Sequence, residues 1–332
     1  MCTADGTCAE EASIAHADPA GSPAGDCSKL SPCTLARALA LLPTRSYVLL
    51  GAGIYNNTTT VVVGGKRFLV GDGSVRPVIT NAAVGPIFSI SVSSDVTFDN
   101  LQLSGAKNGV PSTPPYGYAV ECDGGMDSGV RVVHLVGDLI SQNASDGVLV
   151  HTCSVFATRS TFSDNSGSGV RTSDGGGAFD RCTFSGNAQY GINLDAGLYS
   201  VTNSFIHHNM TGVAIYPSQP GNVIAFNTIA DNSTGFLCIE DGTSSGSFPD
   251  NLIARNTLNN IGGTSCTFPN SIIMADVAAL HFAHPDASPF DYHVTSGSLA
   301  IDHATSSAVD HDFDGEARPK GRGRDIGADE AE

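Results

Sequence analysis

Short runs of alternating apolar and polar residues fill most of the chain. The runs are rich in β-branched and aromatic residues and are separated by Gly, Asn, Asp and Ser, which predicts short strands joined by turns. They also repeat. Leu139-Ile140-Ser141-Gln142-Asn143 with Gly147-Val148-Leu149-Val150 is followed by Thr161-Phe162-Ser163-Asp164-Asn165 with Gly169-Val170-Arg171-Thr172. The phase continues through Asn187 with Gly191, Asn209 with Gly212, and Asn232 with Gly235. The asparagine steps are 22, 22, 22 and 23 residues and the glycine steps 22, 22, 21 and 23. No copy holds a helical period of useful length.

A unit this short cannot bury its own apolar face, so it must stack on its neighbours. Stacking brings equivalent residues to roughly 4.8 Å spacing in parallel sheets. Three internal columns are predicted: Val148, Val170, Ile192, Val213 and Phe236; Val150, Thr172, Leu194, Ile215 and Cys238; and Ile140, Phe162, Phe184, Phe205 and Ile229. Asn143, Asn165, Asn187, Asn209 and Asn232 fall at one turn. An amide carries both donor and acceptor, so these residues form a hydrogen-bonded ladder up the stack.

This repeat, over roughly residues 88–275, resembles the pectin-lyase-like superfamily of right-handed β-helices. Residues 34–42 read as a short amphipathic helix, with Ser31 as N-cap and Pro32 at the first helical position. In that superfamily such a helix plugs the open end of the core, where unpaired backbone would otherwise be exposed. The ending, from Asp291-Tyr292-His293-Val294 to Asp325-Ile326-Gly327-Ala328-Asp329-Glu330, is similar to that of secreted bacterial β-helix proteins of unassigned activity. The expected fold is therefore all-β: a single-stranded right-handed parallel β-helix (solenoid) with an N-terminal helix cap and an irregular C-terminal cap. The expected divisions are a linker or arm over 1–26, the cap and first coils over 27–87, repeats over 88–275 and the C-terminal cap over 276–332.

Composition narrows the functional classes. Net charge is −17 and pI about 4.7 over 332 residues, with no Lys/Arg cluster outside 318–324, which disfavours nucleic acid. The same acidity opposes unaided binding of acidic polymers. No apolar run reaches the roughly 18 residues of a membrane span. Met1-Cys2-Thr3 opens the chain without a basic region or an apolar core, so it reads as a processed form. Nine cysteines without a CxxC or a zinc pattern indicate an oxidising compartment. Cys122 with Cys153 falls near the bridging distance of about 5.5–6 Å, Cys27 with Cys33 flanks a turn, and Cys2 with Cys8 is a local pair. Cys182 is expected to keep its thiol, at the turn position held by Asn203 and Asn227 in later coils.

Candidate chemistry lies on the outward positions of the strand that opens at the repeat glycine. One outward column reads Leu149, Arg171, Asn193, Ala214 and Leu237; the next reads His151, Ser173, Asp195, Tyr216 and Ile239. Glu121 joins them if Gly117 opens the preceding coil. The resulting patch assigns catalysis to His151, Asp195, Asp174 and Arg171, with His151 as base, the two aspartates as an acid/base pair or a cation site, and Arg171 facing a substrate carboxylate. Glu121, Asn193, Tyr216 and Tyr190 would bind substrate. An ordinary solvated sheet face, with opposite charges paired across coils, accounts for the same residues.

Family signatures fit poorly. Asp146 matches the first acid of polygalacturonase-like enzymes, but Ser168 and Tyr190 stand where the next acid and histidine belong. The absence of Trp excludes a pectate-lyase WIDH-type motif, and no DPHE-type epimerase motif occurs. Asp310-His311-Asp312-Phe313-Asp314-Gly315 opens like a calcium loop, with Asp310, Asp312 and Asp314 as ligands, but Gly321 occupies the position of the closing acid. The expectation is a secreted or cell-surface bacterial protein, monomeric, that binds or cleaves extracellular polysaccharide as a lyase or glycosidase, with Ca2+ as a candidate cofactor. A non-catalytic matrix or adhesin rod is the alternative. Only residues 106–116 and 242–250 are expected to wall a groove.

Overall fold

The computed structural model describes residues 8–41, 43–109, 114–125, 129–217, 220–239, 245–275, 277–305 and 309–331. The chain forms two compact units, residues 1–161 with 165–167 and residues 162–164 with 168–332, each a stack of parallel coils. The architecture is the right-handed parallel β-helix that the repeat predicts, the hand that parallel crossovers adopt. Each coil contributes one strand to each of three sheets.

In the first unit, the first sheet runs from Ile14–Ser22 through Tyr47–Leu50, Lys66–Gly71, Ser94–Asp99 and Arg131–Val136 to Ser154–Thr158. Ile14 to Ala17 pair with Tyr47 to Leu50, and Ile14, Ala15 and Ala17 are buried. Residues 14–22, expected within a linker or arm, are thus a paired strand. The small side chains that read as linker-like let this segment lie close against Cys33, which bridges to Ala17 and Ser22. The helix is Leu35–Leu39, shorter and later than expected. Thr34, not Ser31, is its N-cap and accepts a hydrogen bond from Arg37 N at 3.3 Å. Pro32 cannot open the helix because the Cys27–Cys33 disulfide and the Cys33 bridges hold that stretch extended. Fully buried Arg67 donates to Leu39 O and Arg45 O, satisfying the helix end, and burial pushes its pKa down to about 10.

In the second unit, the second sheet comprises Val170–Ser173, Tyr190–Leu194, Thr211–Ile215, Thr234–Cys238 and Asn259–Gly262. The third comprises Thr183–Ser185, Phe205–His207, Thr228–Ala230, Leu252–Ala254 and Ile272–Met274. Its register places Phe184, Ile206, Ile229 and Ile253 in one inward column. Phe205 faces outward instead, one residue off the expected position; counting back three from each ladder asparagine gives Ile206, and the pleat allows no other choice.

The asparagine ladder exists in both units. Asn143 Nδ2 donates to Asn165 Oδ1 at 3.0 Å in the first. In the second, Asn187 donates to Asn209, Asn209 to Asn232, Asn232 to Asn256 and Asn256 to Asn260, at 2.9 to 3.1 Å. The residue before each of Asn143, Asn165, Asn187, Asn209, Asn232 and Asn256 has positive φ, filled by Gly186 in one copy and by Gln142, Asp164, His208, Asp231 and Arg255 in the others. A second ladder runs Ser204, Asn227, Asn251, Ser271, and Cys182 N donates to Ser204 Oγ. Ser204 rather than Asn203 is therefore the counterpart of Cys182, because Asn203 takes the positive-φ corner before it.

The C-terminal segment packs against the outer face of the third sheet. Outward residues there change from half-buried Thr183 and Ser185 to buried Phe205, His207, Thr228, Ala230, Leu252 and Ala254. Leu252 and Ala254 pack with Leu280, Val294, Ala300 and Ile326, while Ala328 N donates to Thr228 Oγ1 at 3.0 Å. The cap includes an antiparallel pair, Phe282–His284 with Asp291–Val294, so it is less irregular than expected. Arg318 and Glu330 form a buried ion pair at 2.8 Å beneath it, with Arg318 also donating to Asp325 O and Gly327 O and lying over the Phe226 ring.

Cys122–Cys153 and Cys27–Cys33 are disulfides, as is the unanticipated pair Cys238–Cys266. Buried Cys182 keeps its thiol and donates to Asp180 O at 3.4 Å. Cys2 lies outside the described residues, and with it the expected Cys2–Cys8 pair.

Asn209→Ala removes the acceptor of Asn187 N and Nδ2 in a buried turn. Two orphaned donors predict a loss of about 3 kcal/mol. Urea denaturation should show a clearly lowered midpoint for this variant, while exposed Lys29→Ala stays within about 0.5 kcal/mol of the parent.

Candidate functional site

Outward Thr183, Phe205 and His207 floor a cleft of about 560 Å³ in the second unit. The hairpin supplies its wall through His284, Phe290, Asp291, Tyr292 and His293, and Phe313 closes it. The cleft forms where the C-terminal cover leaves the third sheet. Neither 106–116 nor 242–250, each described only in part, takes part in it. Phe205 packs on Phe313 at 4.5 Å between centroids, and His293 meets the Phe205 ring edge-on at 4.9 Å.

Two kinds of histidine line this region. His207 and His208 share a hydrogen bond between Nδ1 atoms at 2.9 Å. Burial, reinforced by His208, pushes the pKa of His207 down to about 3, and burial lowers that of His208 too. The pair is neutral, one ring donating and the other accepting. Tyr292 donates its hydroxyl to Asp231 Oδ2 at 2.6 Å, and burial together with Asp231 raises its pKa. Arg255 bridges Asp231 and Asp286 at 2.8 Å each. Behind the cleft floor, then, lies a fixed tyrosine–aspartate–arginine chain.

His293 is the opposite case. Burial opposes its charge, but the hydrogen bond it donates to Asp291 and the fields of Asp329, Asp291 and Asp314 raise its pKa above the ordinary value. Its Nδ1 meets Asp291 Oδ1 and its Nε2 lies 3.0 Å from Asp314 Oδ2. Ligand atoms of His293, Asp314 and Asp329 all lie within 4.8 Å of one another, an arrangement able to coordinate a metal ion.

The predicted calcium ligands do not converge. Asp312 is fully buried and accepts from Glu316 N at 2.7 Å and Glu330 N at 3.2 Å, so its carboxylate closes turns of the cap. Asp310 is exposed and pairs with His311, whose other nitrogen meets Asp180 at 2.9 Å. Of the three, only Asp314 reaches the His293 cluster. The loop lacks the closing acid that would draw its carboxylates inward.

The expected catalytic face divides between the units, and each part stands by itself. In the first unit the register pairs Glu121 with Leu149 and Asp123 with His151. Asp123, not Glu121, is therefore the neighbour of His151, at 2.9 Å. The insertion before this coil hid the shift. A hydrogen bond from Gly125 N, then His151, lowers the Asp123 pKa, while burial and then Asp123 raise that of Glu121. In the second unit Arg171 is in register with Asn193, whose Oδ1 is buried without a hydrogen-bond partner. Burial and then Asp174 raise the Asp195 pKa. Tyr216 N donates to Leu194 O and Gly169 N to Tyr190 O; Tyr190 opens its strand and Tyr216 follows the end of the next, so the two lie at opposite strand ends.

Sequence reasoning missed the cleft. Its signal was present: apolar Phe205 and Leu252 at outward positions that are polar in earlier coils, and aromatic residues clustered at 282–292 and 313.

A family model described as a right-handed β-helix region matches residues 146–276. A crystal structure of pectate lyase Pel9A is similar over 96% of this chain and 96% of its own, with TM-score 0.69 and 13% identity. A rhamnogalacturonan lyase follows at TM-score 0.44 and 11% identity, over 73% of this chain and 74% of its own. The mannuronan C-5 epimerase AlgE4 A-module of Azotobacter vinelandii gives TM-score 0.39 and 18% identity, over 69% and 87%. The first likeness shows the fold, a parallel β-helix. No curated protein sequence matches the chain.

His311 tests the electrostatics of the cap. Burial lowers its pKa, but Asp180 and Asp310 outweigh it and hold it above 6.5. A raised folded pKa means the protonated form stabilises the fold fully below about 6.5, the unfolded value. That contribution is lost as pH rises through the folded pKa. An NMR titration should place the His311 midpoint above 6.5, and Asp180→Asn should bring it down. A midpoint at or below 6.5 in the parent would refute the bridge.

Proposed function

We propose that the protein binds an extracellular glycan in the cleft between the third sheet and the C-terminal hairpin. The observation that carries this reading is the lining itself: aromatic faces of Phe290, Tyr292 and Phe313 beside hydrogen-bonding His207, His284 and Asp291, in a volume of about 560 Å³. Sugar rings present apolar C–H faces and polar rims, and a few fixed polar groups among aromatic walls match both. Neutral glycans fit better than uronic ones, because Asp291 and Asp314 face this region and the chain carries net charge −17. A secreted or surface setting agrees with the disulfides Cys27–Cys33, Cys122–Cys153 and Cys238–Cys266. The pectate-lyase fold is a frame on which carbohydrate chemistry is found, and it supports the class of ligand without naming it.

Affinity electrophoresis over neutral and uronic polysaccharides tests the reading. The parent should be retarded by a neutral glycan, and Phe290→Ala should weaken retention about 10-fold, the effect of about 1.4 kcal/mol. His151→Ala, on the second sheet of the first unit, should leave retention unchanged. The reverse pattern would transfer the site to the Asp123–His151 face. Product analysis in the same incubations separates cleavage from binding alone.

A further inference from the structure

We infer that His293, Asp314 and Asp329 form a site for a divalent first-row transition cation, of the zinc or manganese class rather than calcium. This inference does not rest on the glycan reading. The three ligand atoms lie within 4.8 Å of one another, so closing them on one ion at bonds of about 2.0–2.2 Å takes side-chain movements of under about 1 Å.

The donor set decides the class of ion. One imidazole nitrogen with two carboxylates suits zinc, manganese or iron, whereas calcium takes oxygen ligands almost exclusively. The outer groups fit as well. Asp291 sits on Nδ1 of His293, which fixes the ring and leaves Nε2 facing Asp314, the carboxylate–histidine arrangement that orients metal ligands. Asp329 is almost wholly buried, and Val294 N, donating to its Oδ2 at 2.7 Å, aims it. Its other oxygen makes no hydrogen bond among the described residues.

Carboxylates crowd the cluster. Asp291, Asp314 and Asp329 face a single imidazole, with Asp312 buried nearby. Arg318, whose field reaches Asp312 and Asp329, has its ion pair with Glu330 at 2.8 Å, and Arg181 donates to Phe313 O. A buried carboxylate without full compensation is costly, and a bound divalent ion removes that cost. Half-exposed Asp314 leaves a route for the ion and room for water in the remaining positions.

The test uses full-length protein stripped with chelator, titrated with Zn2+, Mn2+ or Ca2+ alone, and read by metal content after desalting and by melting temperature. One equivalent of Zn2+ or Mn2+ should be retained and should raise the melting temperature, with Ca2+ much weaker. His293→Gln and Asp329→Asn should each lose that equivalent, the latter preserving the shape of the buried side chain. Asp291→Asn should weaken binding about 10- to 100-fold, and Asp310→Asn should change nothing. Three results would overturn the assignment: no ion retained, the equivalent surviving in both His293→Gln and Asp329→Asn, or Ca2+ binding as tightly as Zn2+.

Discussion

Everything in this molecule depends on satisfying the backbone at the coil corners. A chain that turns every seven or so residues buries amides that no strand partner can reach, and each unmet donor costs about 1–3 kcal/mol. The asparagine amide meets this need. Asn209, for example, accepts from Asn187 N and Nδ2 while donating to Asn232 Oδ1, Phe184 O and His207 O. Because each residue bonds to its copy in the next coil, the ladder forces a constant register. That register fixes which side chains point inward and which remain for chemistry.

The second constraint is the outer face of the third sheet. Where Phe205, Leu252 and Ala254 point outward, the sheet must be covered, and the C-terminal segment supplies Leu280, Val294, Ala300 and Ile326 to do so. Arg318 and Glu330 hold the cover from within. A buried ion pair is weak evidence for stability, but its geometry, with six hydrogen bonds from or to backbone and carboxylate, fixes the path of the chain. The cleft is a by-product of this cover: aromatic residues that seal the sheet also frame the gap where sealing stops.

Electrostatics then divides the site into two zones. His207 and His208 are buried against each other and stay neutral, so they offer hydrogen bonds without charge. His293 lies among carboxylates and favours its charged form in the absence of a cation. A neutral floor at His207 and a charged rim at His293 thus line the same cleft, from segments more than eighty residues apart in the chain.

The sequence alone determined the coil period, the ladder at Asn143 through Asn232 and the fold that follows from them, because these rest on contacts between a residue and its own copy about 22 positions away. It also determined the Cys122–Cys153 and Cys27–Cys33 pairings, which join adjacent coils or close a short turn. Registers failed by one residue within an intact 22-residue step at Phe205 for Ile206 and Asn203 for Ser204, and after the 106–116 insertion at Glu121 for Asp123 beside His151. The tertiary structure alone decided the cleft and the clustering of His293, Asp314 and Asp329. His207 meets Tyr292, and Tyr292 meets Asp231, across 61 residues or more with no repeat to index them. Such contacts are set by how the C-terminal segment lies on the sheet, and no local pattern or spacing in the chain encodes that path.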